Sequence, residues 1–222
     1  MIKLETILKA KHICIETKSD SFTLASALYT YILTLHKKVS IVSVDEVDIN
    51  LSFLPWFEKL RSITPSSADA IVEIDFNVQE LYQFFKINSI KINKKMATSL
   101  YASLLREHRS FQKSDVDGMV FALAKELIEL GAEYQLCYIS LNRRVGLYEF
   151  RLKAVLFNNF VLTKNASCVE VTISDNELQL TGAKLSDVYL ILEEFFTLQN
   201  VQEVILIKSD EEDKILIHLK ES

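Results

Sequence analysis

Glycine, proline and cysteine are all scarce in this chain of 222 residues, and the shortages exclude several kinds of site. With only four glycines, the sequence has no glycine-rich phosphate loop of the GxGxxG or Walker type. The three cysteines, Cys14, Cys137 and Cys168, are far apart and have apolar neighbours, which favours buried free thiols over a zinc site. No apolar run approaches the roughly 20 residues of a membrane-spanning helix. The N-terminal segment also lacks the apolar core of a signal peptide, so we expect a cytoplasmic protein without a membrane partner.

The charge balance is mildly acidic, and the composition is that of an ordinary globular protein. The formal net charge is −5, with 49% apolar and 25% charged residues. A protein that binds nucleic acid mainly through charge presents a basic face to the phosphates. We therefore expect no strong nucleic-acid binding, although a small basic pocket remains compatible with this balance.

The first half of the sequence alternates strand and helix patterns. Two β-type runs, His12–Thr17 and Val39–Val44, enclose a segment from Ser21 to Lys37 in which apolar residues recur at helical spacing. This order normally gives neighbouring parallel strands with a right-handed crossover. A third strand is predicted over Ala68–Asp75. Helices are predicted over Leu54–Arg61, Val78–Lys86, Lys94–Arg106 and Val116–Leu130, the last capped by Asp115 and ended by Gly131.

The second half is richer in alternating strand patterns. Strands are predicted over Ser167–Ser174, Val201–Lys208 and Lys214–Lys220, with helices over Val145–Asn158 and Ser186–Leu198. The acidic turn between the last two strands indicates a hairpin. The whole chain is therefore predicted to be of the α/β class. Residues 1–139 would form a domain with a parallel sheet, and residues 140–222 a small α+β domain with a mostly antiparallel sheet.

Several sequence motifs resemble those of the DHH/DHHA1 phosphoesterases. The loop ETKSDSF, followed by Ala25-Ser26, matches the family's first strand–loop–helix motif, and IVEIDFN matches the strand that ends in aspartate. ATSLYASLLREHRSF matches a later helix and turn, with Glu107 in place of an aspartate. The second half resembles the start of a DHHA1 domain through FRLKAVLFNNF, VEVTIS and ILIHLK. The resemblance is greatest to the oligoribonuclease and pAp-phosphatase branch, and it implies a DHH-like domain followed by a truncated DHHA1-like domain.

Several functional motifs of that family are missing from the sequence. Members hold two divalent ions, usually manganese, with aspartates and histidines. Here Glu16 stands at the first histidine position and Phe22 at the second aspartate position of the loop. The Asp-His-His motif and the Gly-Gly-Gly-His loop are absent. Because divalent ions of this kind need several deprotonated ligands, the resemblance does not imply an intact two-metal site.

Three acidic residues remain at positions where the family has metal ligands: Asp20, Asp75 and Glu107. Asp20 and Asp75 follow predicted parallel strands, where ligand sites of open α/β sheets lie. Three carboxylates and water can hold one Mg²⁺ or Mn²⁺. Each residue also has an ordinary interpretation: Asp20 as a helix N-cap, Asp75 as a solvated loop residue and Glu107 as part of a charged helix end.

Four arginines are candidates for recognising a phosphorylated substrate: Arg106, Arg109, Arg143 and Arg144. Arginine binds phosphate bidentately, and the family topology would bring these residues to the cleft between the two domains. The alternative is two exposed charged segments. His108 is predicted to be a surface residue rather than a general base.

The sequence thus predicts a catalytically degenerate DHH/DHHA1-like protein that binds a nucleotide-type ligand or a protein partner. No catalytic residue is assigned and no cofactor is certain, with Mn²⁺ or Mg²⁺ as the candidate ions. The alternative is an active phosphoesterase with a reduced site for Mn²⁺ or Mg²⁺, acting on small nucleotides or short oligoribonucleotides. A third interpretation is a homodimer formed by edge strands such as Val39–Val44 or the final strand.

Overall fold

The chain folds into two compact units, Met1–Arg144 and Val145–Ser222. The structure is a computed structural model that describes residues 4–142, 145–210 and 214–220. Within these ranges, none of the helices has the length and apolar character needed to cross a bilayer. Each unit has its own sheet and its own apolar core.

The first unit alternates helices and short strands in chain order. Its elements are α1 (Leu4–Lys9), β1 (His12–Thr17), α2 (Phe22–Thr34), β2 (Lys38–Ser43), β3 (Leu60–Arg61), β4 (Ala70–Glu73), α3 (Val78–Ile87), α4 (Lys94–Glu107), α5 (Gly118–Glu129) and α6 (Tyr134–Asn142).

The sheet of the first unit is entirely parallel, with strand order β3-β2-β1-β4. The central strand β1 pairs with β2 from His12↔Lys38 to Thr17↔Ser43, and with β4 on its other side. Strands β1 and β2 are buried over nearly their whole length, as parallel strands covered by helices are, although β2 alternates its apolar residues with serines.

Helices α2 and α4 pack closely beside this sheet because small polar residues lie where they meet. Ser26 of α2 and Ser99 of α4 have hydroxyl oxygens 3.0 Å apart, and the Ser26 hydroxyl donates to the carbonyl of Pro55 at 2.8 Å. Both serines are fully buried with their hydrogen bonds satisfied, so the two helices approach without a polar penalty. This contact brings the C-terminal half of α4 towards the loops that follow the strands.

The second unit combines helices with a mixed sheet. Its elements are α7 (Leu147–Asn158), β5 (Phe160–Thr163), β6 (Cys168–Ile173), α8 (Asp175–Thr181), α9 (Leu185–Leu192), β7 (Glu203–Lys208) and β8 (Lys214–Lys220). The order is β5-β6-β7-β8, with β6 and β7 parallel and the two outer pairs antiparallel. Gly182 ends α8 in the left-handed region at φ 75°, which glycine adopts without strain.

The predicted α/β class, with a parallel sheet followed by a small mostly antiparallel one, is confirmed. The three cysteines are buried free thiols, and burial raises the pKa of Cys137 to about 12. One interpretation is wrong: Val39–Val44 is not an edge strand, because β2 lies between β1 and β3. The final strand β8 does lie at a sheet edge. The turn predicted between β7 and β8 falls partly outside the described residues.

Candidate ligand-binding site at the sheet edge

The strand order of the first sheet creates a crevice between the carboxyl ends of β1 and β4. The chain leaves β1 towards β2 and β3 on one side, then returns to place β4 on the other side. In open α/β sheets, ligands bind at such a switch point, where the connections diverge. The loops after β1 and β4 are therefore the segments in which binding residues are expected.

The loop after β1 is held by short-range hydrogen bonds. The hydroxyls of Thr17 and Ser21 are 2.9 Å apart, and the Lys18 amide donates to the Ser21 hydroxyl at 3.1 Å. Ser21 is the N-cap residue of α2, although its side chain makes no capping bond to the helix. The cap predicted for Asp20 thus belongs to its neighbour, and the Asp20 carboxylate is left to contact another element.

Arg106, near the end of α4, connects the loops that follow β1 and β2. Its Nη2 atom is 3.1 Å from Oδ1 of Asp20, and its Nη1 atom is 3.5 Å from Oδ2 of Asp48. Asp48 is itself fixed, because its Oδ1 accepts from the Asn50 amide at 2.9 Å and its own amide donates to the Ser19 hydroxyl at 3.1 Å. The structure therefore brings together two of the predicted site residues, Asp20 and Arg106, as an ion pair.

Glu107 points to the N-terminus of α3 and is largely withdrawn from solvent. Its carboxylate accepts from the Val78 amide at 3.1 and 3.3 Å and from the Ser103 hydroxyl at 2.8 Å. Burial raises the pKa of the Glu107 carboxyl, and the hydrogen bonds from Ser103 and Val78 partly offset that rise. Glu107 therefore supplies an acceptor to one of the unpaired amides at the start of α3 and joins that helix to α4.

His108 is buried, contrary to the prediction of a surface histidine. Its Nδ1 lies 3.4 Å from Oδ1 of Asp115, and its Nε2 lies 3.3 Å from the side-chain nitrogen of Gln79. Asp115 is not the cap of α5, because Asp117 accepts from the Met119 and Val120 amides instead. The two aspartates lie two residues apart, so sequence spacing alone favours neither as the cap.

Several of these groups, but not Arg106 or Asp48, line one open crevice of about 710 Å³. Its lining consists of Asp20, Ser21, Leu24, Phe76, Asn77, Gln79, Glu107, His108, Lys113 and Asp115. It combines an aromatic ring, two carboxamides, an imidazole and one lysine with acidic side chains that are already hydrogen-bonded. Such a mixed lining suits a small ligand with a planar ring and polar substituents.

Asp75 is exposed two residues after β4, as the sequence predicts for a strand-end acid. However, it lines a different hollow of about 450 Å³, next to Phe84 and Ile87 of α3. Asp20 and Glu107 line the crevice, whereas Asp75 is not among its lining residues.

The donor set does not fit the two-metal group that the family resemblance implies. Across residues 4–142, 145–210 and 214–220, no three His, Cys, Asp or Glu side chains form a group that could hold a metal ion. The Asp20 carboxylate contacts a guanidinium, and the Glu107 carboxylate accepts from an amide and a hydroxyl. The prediction that Asp20, Asp75 and Glu107 bind one ion together stays a prediction that a metal titration must test.

The remaining predicted arginines do not join Arg106 in the described structure. Arg109 is exposed in a tight turn after α4, where Arg109, Ser110 and Phe111 all have left-handed φ angles of 45°, 56° and 69°. Arg143 and Arg144 lie outside the described residues. Of the four candidates, only Arg106 is therefore seen beside the crevice.

Two partners in this region were not predicted from the sequence. Asp48 lies in a loop without a recognisable motif, and its contact with Arg106 joins residues far apart in the chain. Asp115 stands where the sequence predicts a helix cap, and that interpretation gives no indication of its contact with His108. Neither pairing leaves a local pattern in the sequence.

Comparison with solved structures finds the same fold in an exopolyphosphatase-related protein from Bacteroides fragilis. The TM-score is 0.72 at 11% sequence identity, and the match covers 93% of this chain and 78% of that chain. A candidate family II inorganic pyrophosphatase from Methanococcus jannaschii also aligns, over 89% of this chain and 83% of its own at 12% identity, with a TM-score of only 0.35. No protein-family model and no curated protein matches the sequence significantly. The first likeness shows a shared fold, and the resemblance to the DHH/DHHA1 phosphoesterases and to one of their branches stays a prediction.

Proposed function

We propose that the chain is a catalytically degenerate, DHH phosphoesterase-like protein that binds a nucleotide-type ligand in the crevice between the ends of β1 and β4. The position at a switch point supports a ligand site. Phe76 offers a ring face for a base, Asn77 and Gln79 offer amides for its polar edge, and Lys113 offers a cation for phosphate.

The observation that supports degeneracy is the use of the acidic side chains for protein contacts. Asp20 pairs with Arg106, while Glu107 accepts from the start of α3 and from Ser103. Two-metal catalysis needs ions about 3.5–4 Å apart, each held by several ligands. Carboxylates committed to a guanidinium and to backbone amides do not supply such a set.

A second candidate is an active phosphoesterase with a reduced Mn²⁺ site built from Asp20, Asp75 and Glu107. It is favoured by the exposure of Asp20, whose side chain is 98% accessible and can exchange its arginine partner for an ion. His108 and Asp115 beside Glu107 would add an imidazole to the same crevice.

Hydrolysis assays separate the two candidates. Purified protein is incubated with Mn²⁺ and either pAp or short oligoribonucleotides. Degeneracy predicts no turnover above the buffer rate, in wild type and in Asp75→Ala alike. Turnover at an enzymatic rate that is lost in Asp75→Ala would contradict the proposal and favour the reduced metal site.

The ligand class is tested by titrating nucleoside monophosphates and pAp in calorimetry without added metal. Because the structural relative is described as exopolyphosphatase-related, inorganic polyphosphate belongs in the same series. The proposal predicts saturable binding of a nucleotide that weakens in Phe76→Ala. Equal affinity in wild type and in that variant would remove the crevice as the binding site.

Assembly through the second sheet is a further proposal. Strand β8 lies at the edge of its sheet, and Ile215 on it is 56% exposed. An unpaired edge of this kind is a template for pairing with a second chain. Light scattering at micromolar concentration tests it, and a monomer would exclude a homodimer.

A further inference from the structure

The guanidinium of Arg106 is fixed next to the crevice in a position that suits binding of an oxyanion. Its side chain is only 22% exposed, and its two terminal nitrogens face two carboxylates, those of Asp20 and Asp48. An arginine with its geometry fixed in advance loses little freedom when it binds a phosphate, which its planar group fits bidentately. The question is which carboxylate an incoming anion would replace.

The two acidic partners of Arg106 differ in how firmly they are held. Asp48 is 39% exposed and is anchored by the Asn50 amide and the Ser19 hydroxyl. The Asp20 side chain is 98% exposed, although its contact with Arg106 is the shorter one at 3.1 Å. An ion pair with so exposed a partner contributes little, because water solvates the released carboxylate well. Asp20 is therefore the partner that can leave.

We propose that Arg106 is the principal phosphate-recognition residue of this site, beside the cation that Lys113 offers, and that Asp20 is a built-in competitor which the phosphate group of the ligand displaces. The proposal rests on the proposed function and names the chemistry of its ligand, a phosphate monoester or inorganic phosphate. Asp48 keeps the guanidinium in position during the exchange. Asp20 lines the crevice and contacts Arg106, so its release frees a guanidinium next to the crevice.

This assignment gives Asp20 the opposite effect to that of a metal ligand. While Asp20 occupies Arg106, phosphate cannot bind there. The apparent affinity for phosphate therefore equals the intrinsic affinity multiplied by the fraction of molecules in which the arginine is free. Removing the carboxylate should therefore tighten anion binding. Removing a metal ligand would instead abolish metal-dependent binding or turnover.

The test is calorimetric titration of inorganic phosphate, at low ionic strength and without metal, into wild type, Asp20→Asn and Arg106→Gln. We expect Asp20→Asn to bind phosphate about three- to tenfold more tightly than wild type, because the competitor is gone. Arg106→Gln should lose measurable binding, and the double variant should match Arg106→Gln alone. Thermal unfolding checks that each variant folds, and Arg106→Lys keeps the charge if Arg106→Gln does not fold.

Asp45→Asn is the matched control, because it removes the same charge from an exposed aspartate in the loop after β2. Phosphate affinity within twofold of wild type is expected for it. A gain in Asp45→Asn equal to that in Asp20→Asn would show a general charge effect and overturn the proposal. So would unchanged or absent phosphate binding in Asp20→Asn.

The same variants distinguish this proposal from the proposed function. Nucleotide binding that is insensitive to both Asp20→Asn and Arg106→Gln would overturn the competitor role while leaving the binding function intact. Phosphate binding enhanced by Asp20→Asn, without any affinity for nucleotides, would support the anion site and overturn the nucleotide assignment.

Discussion

Glu107 shows how a side chain at a position matched to a family motif can make contacts within the protein. The resemblance implies a metal ligand there, whereas the carboxylate accepts hydrogen bonds from Val78 and Ser103. Its burial raises the carboxyl pKa above the ordinary value of 4.5. Burial shifts this carboxyl towards the protonated form relative to the unfolded chain.

This pKa has a definite consequence for stability. Because the folded protein holds the proton of Glu107 more tightly than the unfolded chain does, its contribution is fully present below pH 4.5 and is lost as pH rises through the raised pKa. We expect wild type to lose stability relative to Glu107→Gln as the pH rises above 4.5, measured by denaturant unfolding at a series of pH values. If the free energy of unfolding of wild type instead rose relative to that of Glu107→Gln with increasing pH, the interpretation would be contradicted.

Glu107→Ala provides the companion measurement. It removes the acceptor as well as the charge, which leaves the Val78 amide without this partner. The free energy of unfolding should fall by about 1–3 kcal/mol relative to Glu107→Gln, the usual cost of an unsatisfied buried donor. Equal stability of the two variants would mean that the hydrogen bond is unimportant.

At the scale of elements, the start of α3 positions one wall of the crevice. Asn77 and Glu80 form a reciprocal capping box: the Glu80 amide donates to Oδ1 of Asn77 at 2.9 Å, and the Asn77 amide donates to Oε2 of Glu80 at 2.8 Å. The box fixes the chain next to Phe76 and Gln79, both of which line the crevice.

Asn77→Ala should lower the free energy of unfolding by about 1 kcal/mol, because the helix loses its side-chain cap. Asn77→Asp is the control, since aspartate keeps the accepting oxygen and caps equally well. Thermal or denaturant unfolding measures both. A loss of the same size in both variants would argue that the cap is not the cause.

Much of the first unit could be predicted because its elements carry strong local patterns. The strand His12–Thr17 has the predicted bounds, and α2 lies within the predicted segment Ser21–Lys37. Short β-type runs and helical spacing are sufficient signals where both faces of a strand or most of a helix are buried. The short β5 and the helix α6 were not predicted, and both present much of their surface to solvent.

The helix predicted over Leu54–Arg61 is wrong, and the cause is tertiary. Trp56 has a left-handed φ of 73°, and only a short 3₁₀ turn and strand β3 follow it. Its ring stacks on Tyr29 at 5.0 Å, its Nε1 donates to the Thr30 hydroxyl at 2.8 Å, and the ammonium of Lys95 lies 4.8 Å from the ring. Contacts with two distant helices thus override the local helical pattern.

The candidate site was less predictable than the fold, because its contacts join distant segments. Sequence reasoning located Asp20 at the correct edge of the sheet, but Arg106, its partner, lies 86 residues away. Whether a strand-end carboxylate binds a metal or a guanidinium depends on which side chain of the helices packed beside the sheet comes close to it. Helix packing determines that contact, and no periodic pattern in the sequence reports it.

At the scale of the whole molecule, the two units have separate apolar cores. Phe22, Phe85 and Leu100 belong to the first core, whereas Val171, Ile191 and Leu206 belong to the second. A unit with its own core and sheet meets the usual conditions for folding alone.

We therefore expect residues 1–144, expressed without the rest of the chain, to unfold cooperatively in denaturant with a folded far-UV spectrum. Calorimetry of the full chain and of this fragment provides the comparison. A fragment that is collapsed but lacks a cooperative transition would show that the first core is insufficient without the second unit.

The shared fold does not decide the activity, because one fold hosts many functions. The relative with the same architecture is only 11% identical to this chain. What separates an enzyme from a binding protein here is the donor set at the edge of the first sheet. The central claim is that this edge holds cation–carboxylate contacts within the protein in place of an assembled two-metal centre.

Manganese titration of metal-stripped protein by calorimetry tests that claim most directly, with Asp75→Ala as the control. Our account predicts only weak, non-saturating heats, identical in wild type and Asp75→Ala. Two tightly bound ions per chain, lost in Asp75→Ala, would contradict it and show that the carboxylates rearrange into a catalytic metal site.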